Sequence, residues 1–292
     1  MFTKICQMSQ EKLKKFVAKK LEETHNKVIV EDGFVYAQGT FPVLLVAHLD
    51  TVHTQLPQSI IYDKKTDTLS SPQGIGGDDR CGIYMVLETI KDFNCSVLFC
   101  EDEEIGAIGA HKFTESNIAK HLEFNYIIEF DRKGKNDAVF YDCNNEDFEK
   151  FITQEFYQSS WGSFSDISVL APHFKCAAVN LSCGYYNAHT KDEYIVIGEM
   201  EESINQACKI LERTTEEDKF EYVEASYNYD WDAYELNEKS WLVEWYDEKN
   251  KREEWEEIIA YSKVEAVGKF LMKYPALSYK DIDLYDMGEV YF

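Results

Sequence analysis

A three-layer α/β sandwich on a mostly parallel central sheet, followed by a small α+β domain, is the fold this sequence predicts. Three observations lead there. Four short apolar runs, over 43–47, 95–100, 126–130 and 176–181, are nearly unbroken, as expected of strands buried on both faces. Helical apolar patterns near 81–92, 105–120 and 146–158 lie between them and supply the crossovers that parallel strands require. After residue 215 the composition changes: an acidic, tyrosine-rich stretch leads into a segment, and four of the five tryptophans (Trp231, Trp241, Trp245 and Trp255) lie in this part of the chain.

Each element follows local rules. Ser9 precedes a stripe of Leu13, Phe16, Val17 and Leu21, the cap and apolar face of an amphipathic helix. Glu31, Asp32 and Gly33 turn a hairpin between VIV and FVYA. The four buried strands follow, and a helix over 198–213, with Met200, Ile204, Ala207, Cys208 and Leu211 on one face, closes the domain. Beyond it, WLVEWY and EEIIAY form strands around a DEKN turn. Ser262 and Glu265 make a capping box opening a helix through Lys273, and IDLYDM supplies a last strand. The expected organisation is a main domain over 1–215, an acidic linker over 216–238 and a small α+β domain over 239–292. The small domain reads as a stability or assembly appendage; docking a protein partner, self-association or covering the main domain's site are the alternatives.

Charge excludes several partners. With 54 acidic against 30 basic residues in 292, the formal charge is −24, which repels nucleic-acid phosphate and anionic lipid. The opening MFTKICQMSQEKLKKF lacks a signal-peptide apolar run, and no stretch approaches the roughly 18 apolar residues of a membrane span. A soluble, cytoplasmic protein is expected. Its eight scattered cysteines read as reduced core thiols, without the paired CxxC spacing of a structural zinc site.

The polar residues at the ends of the apolar runs carry the chemistry. His48 and Asp50 follow the first run, Glu103 and Glu104 the second, Asp131 the third, and His189 comes shortly after the fourth; Asp78 stands in GIGGDDRCG. Open α/β sheets bind ligands at the carboxyl ends of their strands. Zinc accepts imidazole and carboxylate ligands, and one Asp can bridge two ions through its two oxygens. His48, Asp78, Glu104, Asp131 and His189 therefore form a candidate two-metal site, and hydrolysis is the chemistry it suggests.

These motifs, HxD after a buried strand, GxDDxxG, paired glutamates before GxxGA, an Asp ending the next strand and a late His, run in the order of a known group. Over roughly residues 40–200 the chain resembles the co-catalytic dizinc exopeptidases, a clan that includes zinc aminopeptidases, peptidase T and glutamate carboxypeptidases. The resemblance implies that Asp78 bridges two divalent ions, zinc with cobalt or manganese as alternatives. His48 and Asp131 would hold one ion, Glu104 and His189 the other. It also implies a cis peptide between Asp78 and Asp79. Asp50 would orient the His48 ring, since an imidazole ligand needs its second nitrogen fixed by an acceptor. Glu103 is the candidate general base beside a metal-bridging hydroxide, and Tyr185 or Tyr186 a candidate donor to the oxyanion. Arg80 is read as a local salt-bridge partner or a contact to a substrate carboxylate.

Several alternatives stay open. Glu129 shares a strand face with Asp131 and competes with it for the metal. Ser165 and Asp166 are explained as a helix-starting pair through capping alone. His25, His53, His111, His121 and His173 are left as surface or structural residues. The short spacings from His48 to Asp78 and from Asp131 to His189 leave no room for an inserted lid. With Asp131 as third ligand, the resemblance implies an aminopeptidase acting on short peptides or aminoacyl substrates. An amidohydrolase or carboxypeptidase of the same clan, or a catalytically silent binding protein, are the competing readings.

Overall fold

Strands buried on both faces need alternate side chains to feed two separate cores, and the main sheet is built this way. The computed structural model describes residues 1–154, 156–224, 239–247, 251–260, 269–270, 273–274 and 282–289. Its strands are β1 (Val28–Glu31), β2 (Phe34–Ala37), β3 (Phe41–His48), β4 (Ile61–Asp63), β5 (Thr68–Ser70), β6 (Cys95–Cys100) and β7 (Tyr126–Arg132). After these come β8 (Asp137–Val139), β9 (Gln158–Ser160), β10 (Ala178–Ser182), β11 (Tyr185–Tyr186) and β12 (Tyr194–Val196). The helices are α1 (Phe2–Cys6), α2 (Gln10–Leu21), α3 (Gly77–Thr89), α4 (Ile108–Glu115), α5 (Glu146–Ile152), α6 (Asp166–Phe174) and α7 (Ile197–Arg213).

An eight-stranded sheet runs β1-β2-β6-β3-β7-β10-β8-β9. Its centre, β6-β3-β7-β10, is parallel, and β1, β2 and β8 join antiparallel. Val43, Leu45 and Ala47 of β3 enter one apolar core with residues of α2, α3 and α7, while Leu44 and Val46 enter the other with Ala110 and Phe113 of α4 and Leu170 of α6. That division is the period-two alternation of a strand expressed as three layers. The α/β sandwich expected from the apolar runs is the fold observed. The hairpin turn is tighter than expected: Glu31 pairs with Phe34, leaving Asp32 and Gly33 as the turn, with Gly33 at φ +94°.

Several elements differ from expectation. Ser9 occupies the N-cap position of α2, but its side chain makes no cap hydrogen bond. The helical pattern over 105–120 shrinks to α4 flanked by 3-10 turns at Glu103–Ile105 and Ala119–His121. The pattern over 146–158 stops at Ile152, and its end belongs to β9. Strands of two or three residues are too short to carry a periodic signal, so the four-stranded sheet β11-β12-β5-β4 was not foreseen.

Two compact units divide the chain between Ser226 and Tyr227, later than the change in composition at 215. Residues 216–224 stay with the first unit because backbone bridges join Cys176 to Glu221 and Cys143 to Glu224, and the Phe220 ring packs on Phe148 and Phe151. In the second unit, β13 (Lys239–Asp247) pairs antiparallel with β14 (Arg252–Ala260) and β15 (Ile282–Glu289), around Trp241, Val243, Ile258 and Phe270. The capping box of Ser262 and Glu265 and most of the linker lie outside the described residues. Among the described residues no helix is long and apolar enough to cross a membrane.

Candidate metal centre

Because β6, β3 and β7 are parallel neighbours, their carboxyl ends lie side by side, and the polar residues that follow them converge. His48 ends β3, Asp131 stands near the end of β7, and the Glu103–Ile105 turn follows β6. Asp78 arrives from the start of α3, where the peptide between Asp78 and Asp79 is cis and both residues leave helical geometry. Asp79 then caps the regular part of that helix: its Oδ1 accepts from the Gly82 N–H at 2.8 Å. Its Oδ2 accepts from the His48 N–H at 3.1 Å and so ties the helix start to β3. Gly82 permits this approach, since a Cβ there would lie 1.8 Å from the Phe130 carbonyl oxygen.

At the centre, each oxygen of Asp78 faces a different histidine. His48 Nε2 is 2.9 Å from Oδ1, and His189 Nε2 is 3.1 Å from Oδ2. His48 Nε2 is also 3.4 Å from Asp131 Oδ1, and His189 Nε2 is 3.0 Å from Glu104 Oε1. The side chains thus form two triads sharing one carboxylate, His48-Asp78-Asp131 and Asp78-Glu104-His189, each with its donor atoms within 4.8 Å of one another. Asp50 Oδ1 is 3.1 Å from His48 Nδ1, and the same carboxylate accepts from the N–H groups of Glu103 and Glu104 at 3.0 and 3.1 Å. A carboxylate only accepts, so Nδ1 carries a proton held by Asp50, which would leave the Nε2 lone pair free for a metal ion in the triad.

The donor set fits divalent metal. Two imidazole nitrogens and three carboxylates are borderline-to-hard ligands. Glu104 Oε1 is buried and near His189, yet it makes no hydrogen bond, which suits two groups aimed at a common cation rather than at each other. The electrostatics of the protein by itself agree. Burial, reinforced by Asp131, pushes Glu103 up to about 9, and burial with Asp78 pushes Asp131 up to about 6. Burial opposes a charged His48, but the carboxyls of Asp131, Asp50 and Asp78 outweigh it and hold that ring well above its usual value. The Asp78 and Glu104 carboxylates facing its ring raise His189 to about 10. So many acids in a low-dielectric site retain protons, or bind cations in their place.

All five expected ligands meet here, with Asp50 and Glu103 beside them. Glu129 does not join the triads: it is fully buried, accepts a hydrogen bond from Ser165 Oγ, and leaves Asp131 as the carboxylate nearer His48. Two expectations need correction, those for Arg80 and Tyr186. Arg80 forms no salt bridge among the described residues and does not line the cavity; its buried guanidinium donates to the carbonyls of Leu49 (2.7 Å), Asp50 (3.0 Å) and Met8 (3.4 Å). Tyr186 is absent from the cavity lining; its hydroxyl donates to Glu199 at 2.5 Å and its ring stacks on Tyr194. Tyr185 does line the cavity, but its hydroxyl proton goes to the Asp131 carbonyl at 2.7 Å.

Other members of the site carried no sequence signal. Glu193 is fully buried; it accepts from the N–H groups of Gly76 (2.9 Å) and Asp78 (3.1 Å) and lies 2.7 Å from His53 Nε2, so His53 is structural. Asn180 accepts from the Asp131 N–H at 2.9 Å and donates to Tyr141 at 3.0 Å. Ser165 caps α6 as expected, through a capping box with Ser168, whereas Asp166 is buried with both oxygens unpartnered, and burial raises it to about 7. Of the histidines set aside, His25 is buried against the Cys95 carbonyl at 2.8 Å, and His111, His121 and His173 are exposed.

No protein-family model and no curated protein matches the chain. Solved structures do match. Aminopeptidase PepT from Bacillus cereus shares the fold with a TM-score of 0.59 at 15% identity, over 72% of this chain and 96% of that one. A tripeptidase from Staphylococcus aureus gives 0.57 at 14%, over 72% and 95%. An aminopeptidase from the archaeon Desulfurococcus kamchatkensis gives 0.58 at 13%, over 73% and 94%. The main domain therefore has the α/β fold of these peptidases, as the order of its motifs implied.

Proposed function

We propose that the chain is a two-metal aminopeptidase acting on short peptides, with zinc as the ion. One observation carries this reading: the two oxygens of Asp78 face the two histidines separately, at 2.9 and 3.1 Å, making two ligand triads with one shared carboxylate. The fold common to solved aminopeptidases supports it. His48, Asp131 and Asp78 would hold one ion and Glu104, His189 and Asp78 the other. Ions so placed polarise a scissile carbonyl and lower the pKa of nearby water.

The protein's own part is proton handling and positioning. Glu103 lies against His48 and Glu104, one from each triad, where with the ions bound its carboxylate would take a proton from water and return it to the departing amine. Asp50 holds the His48 ring and the backbone of Glu103 and Glu104 in one frame. The eight free cysteines, seven of them buried, fit a cytoplasmic setting.

Metal analysis combined with cleavage of a small peptide panel tests the proposal. Cleavage of unblocked peptides, abolished by chelator and restored by Zn2+, Co2+ or Mn2+, is expected. Hydrolysis of N-acylated substrates instead points to the amidohydrolase or carboxypeptidase reading. Glu103→Gln should retain metal and lose about 100-fold or more in kcat; undiminished turnover removes Glu103 from the reaction.

A further inference from the structure

We infer that Lys133 is the carboxylate-binding residue of the metal-centre cavity, so that the favoured substrates are short peptides bearing a carboxylate one or two residues beyond the scissile bond. The inference rests on the peptidase reading above and adds a substrate class to it. The cavity, about 470 Å³, is lined by Asp78, Glu103, Glu104 and Asp131 on its acidic side, and also by Arg132 and Lys133. Its size suits a small ligand rather than a long chain.

The two cations differ. Arg132 is neutralised in place: its Nε and Nη2 lie 3.2 and 3.1 Å from Asp137 Oδ2. Lys133 is exposed and makes no ion pair among the described residues. Divalent ions would offset the four carboxylates, leaving Lys133 as the uncompensated charge facing the bound ligand. A substrate carboxylate is its complement.

The backbone under Lys133 is fixed, as a recognition residue needs. Ser182 Oγ donates to the Lys133 carbonyl at 2.9 Å, Cys183 N–H to Arg132 O at 2.7 Å, and Gly134 N–H to Tyr185 O at 2.9 Å. Lys133 stands two positions after Asp131, about 6.6 Å of extended chain. Each residue of a peptide beyond the scissile bond spans about 3.5 Å, and the lysine's four-carbon stem covers the remaining distance. A dipeptide or tripeptide terminus falls within that reach, as does an acidic side chain just after the scissile bond.

Three ligands separate the sources of the carboxylate: a neutral dipeptide as the free acid, the same dipeptide as its C-terminal amide, and an amidated dipeptide with Glu in second position. Each is assayed for kcat and KM, and for binding by calorimetry, on the metal-loaded wild type, Lys133→Met and Lys133→Arg. The expected result is a preference of about tenfold in KM or Kd for a carboxylate-bearing ligand, absent in Lys133→Met and largely restored in Lys133→Arg. Preference for the free acid assigns the terminal carboxylate, and preference for the Glu amide assigns the side chain. Equal use of all three by the wild type, or a preference surviving in Lys133→Met, overturns the inference while cleavage itself leaves the peptidase reading standing. If nothing is cleaved, the peptidase reading fails and the calorimetry decides Lys133 by the same criteria.

Discussion

Asp50 and His48, two residues apart at the end of one strand, are joined side chain to side chain at 3.1 Å, and the same Asp50 carboxylate takes the N–H groups of Glu103 and Glu104. One buried carboxylate thus holds both the His48 ring and the loop that carries Glu103 and Glu104. Asp50→Ala removes all three contacts at once. It should weaken metal affinity or kcat/KM by about 10- to 100-fold, read by metal titration and steady-state kinetics. A variant with wild-type metal affinity and kinetics would contradict this role.

Glu193 acts on Asp78 from the other side, gripping the backbone of Gly76 and Asp78. Glu193→Ala leaves two buried N–H groups without an acceptor, so a loss of about 2–4 kcal/mol in stability is expected, measured by chemical denaturation. Metal affinity should fall with it, because Asp78 is no longer held.

Arg80 makes an opposite prediction. Its guanidinium serves three carbonyls and does not line the metal-centre cavity. Arg80→Met should cost about 3 kcal/mol of stability and leave KM for peptides unchanged. A raised KM at full stability would return Arg80 to substrate binding.

Metal removal should reverse the usual pH trend. Glu103 (about 9), Asp166 (about 7) and Asp131 (about 6) are raised, so between about pH 4 and 9 the folded, metal-free protein binds more protons than the unfolded chain. Stability then falls as pH rises. His189, raised to about 10, acts in the same direction: its contribution is full below pH 6.5 and is lost as pH climbs through 10. Asp50 and Asp78 are lowered by their histidine partners despite burial, and they contribute only above the acid range. Denaturation midpoints of chelator-treated protein should therefore decline from pH 5 to pH 9. Zn2+ should flatten the decline; a metal-free midpoint that rises with pH would refute the charge state described here.

Most of the candidate ligands were legible because they follow apolar runs, and parallel strands must end at one edge. His48, Asp131 and the Glu103–Glu104 pair are placed by that rule, and the cis peptide at Asp78–Asp79 agrees with the motif order. Choosing Asp131 over Glu129 was not legible, since strand periodicity puts both on one face. The structure separates them because Ser165, at the start of α6, takes up Glu129.

The sequence by itself determined the layer order and the residue types that meet at the sheet edge, since both follow from local periodicity and from residue chemistry at strand ends. Only the tertiary structure decided which groups support them. Glu193 reaches Asp78, Asn180 reaches Asp131, and Arg80 turns away from the cavity, all through contacts between segments far apart in the chain. Hydrogen bonds across such separations leave no trace in local periodicity, because packing of the layers brings their partners together.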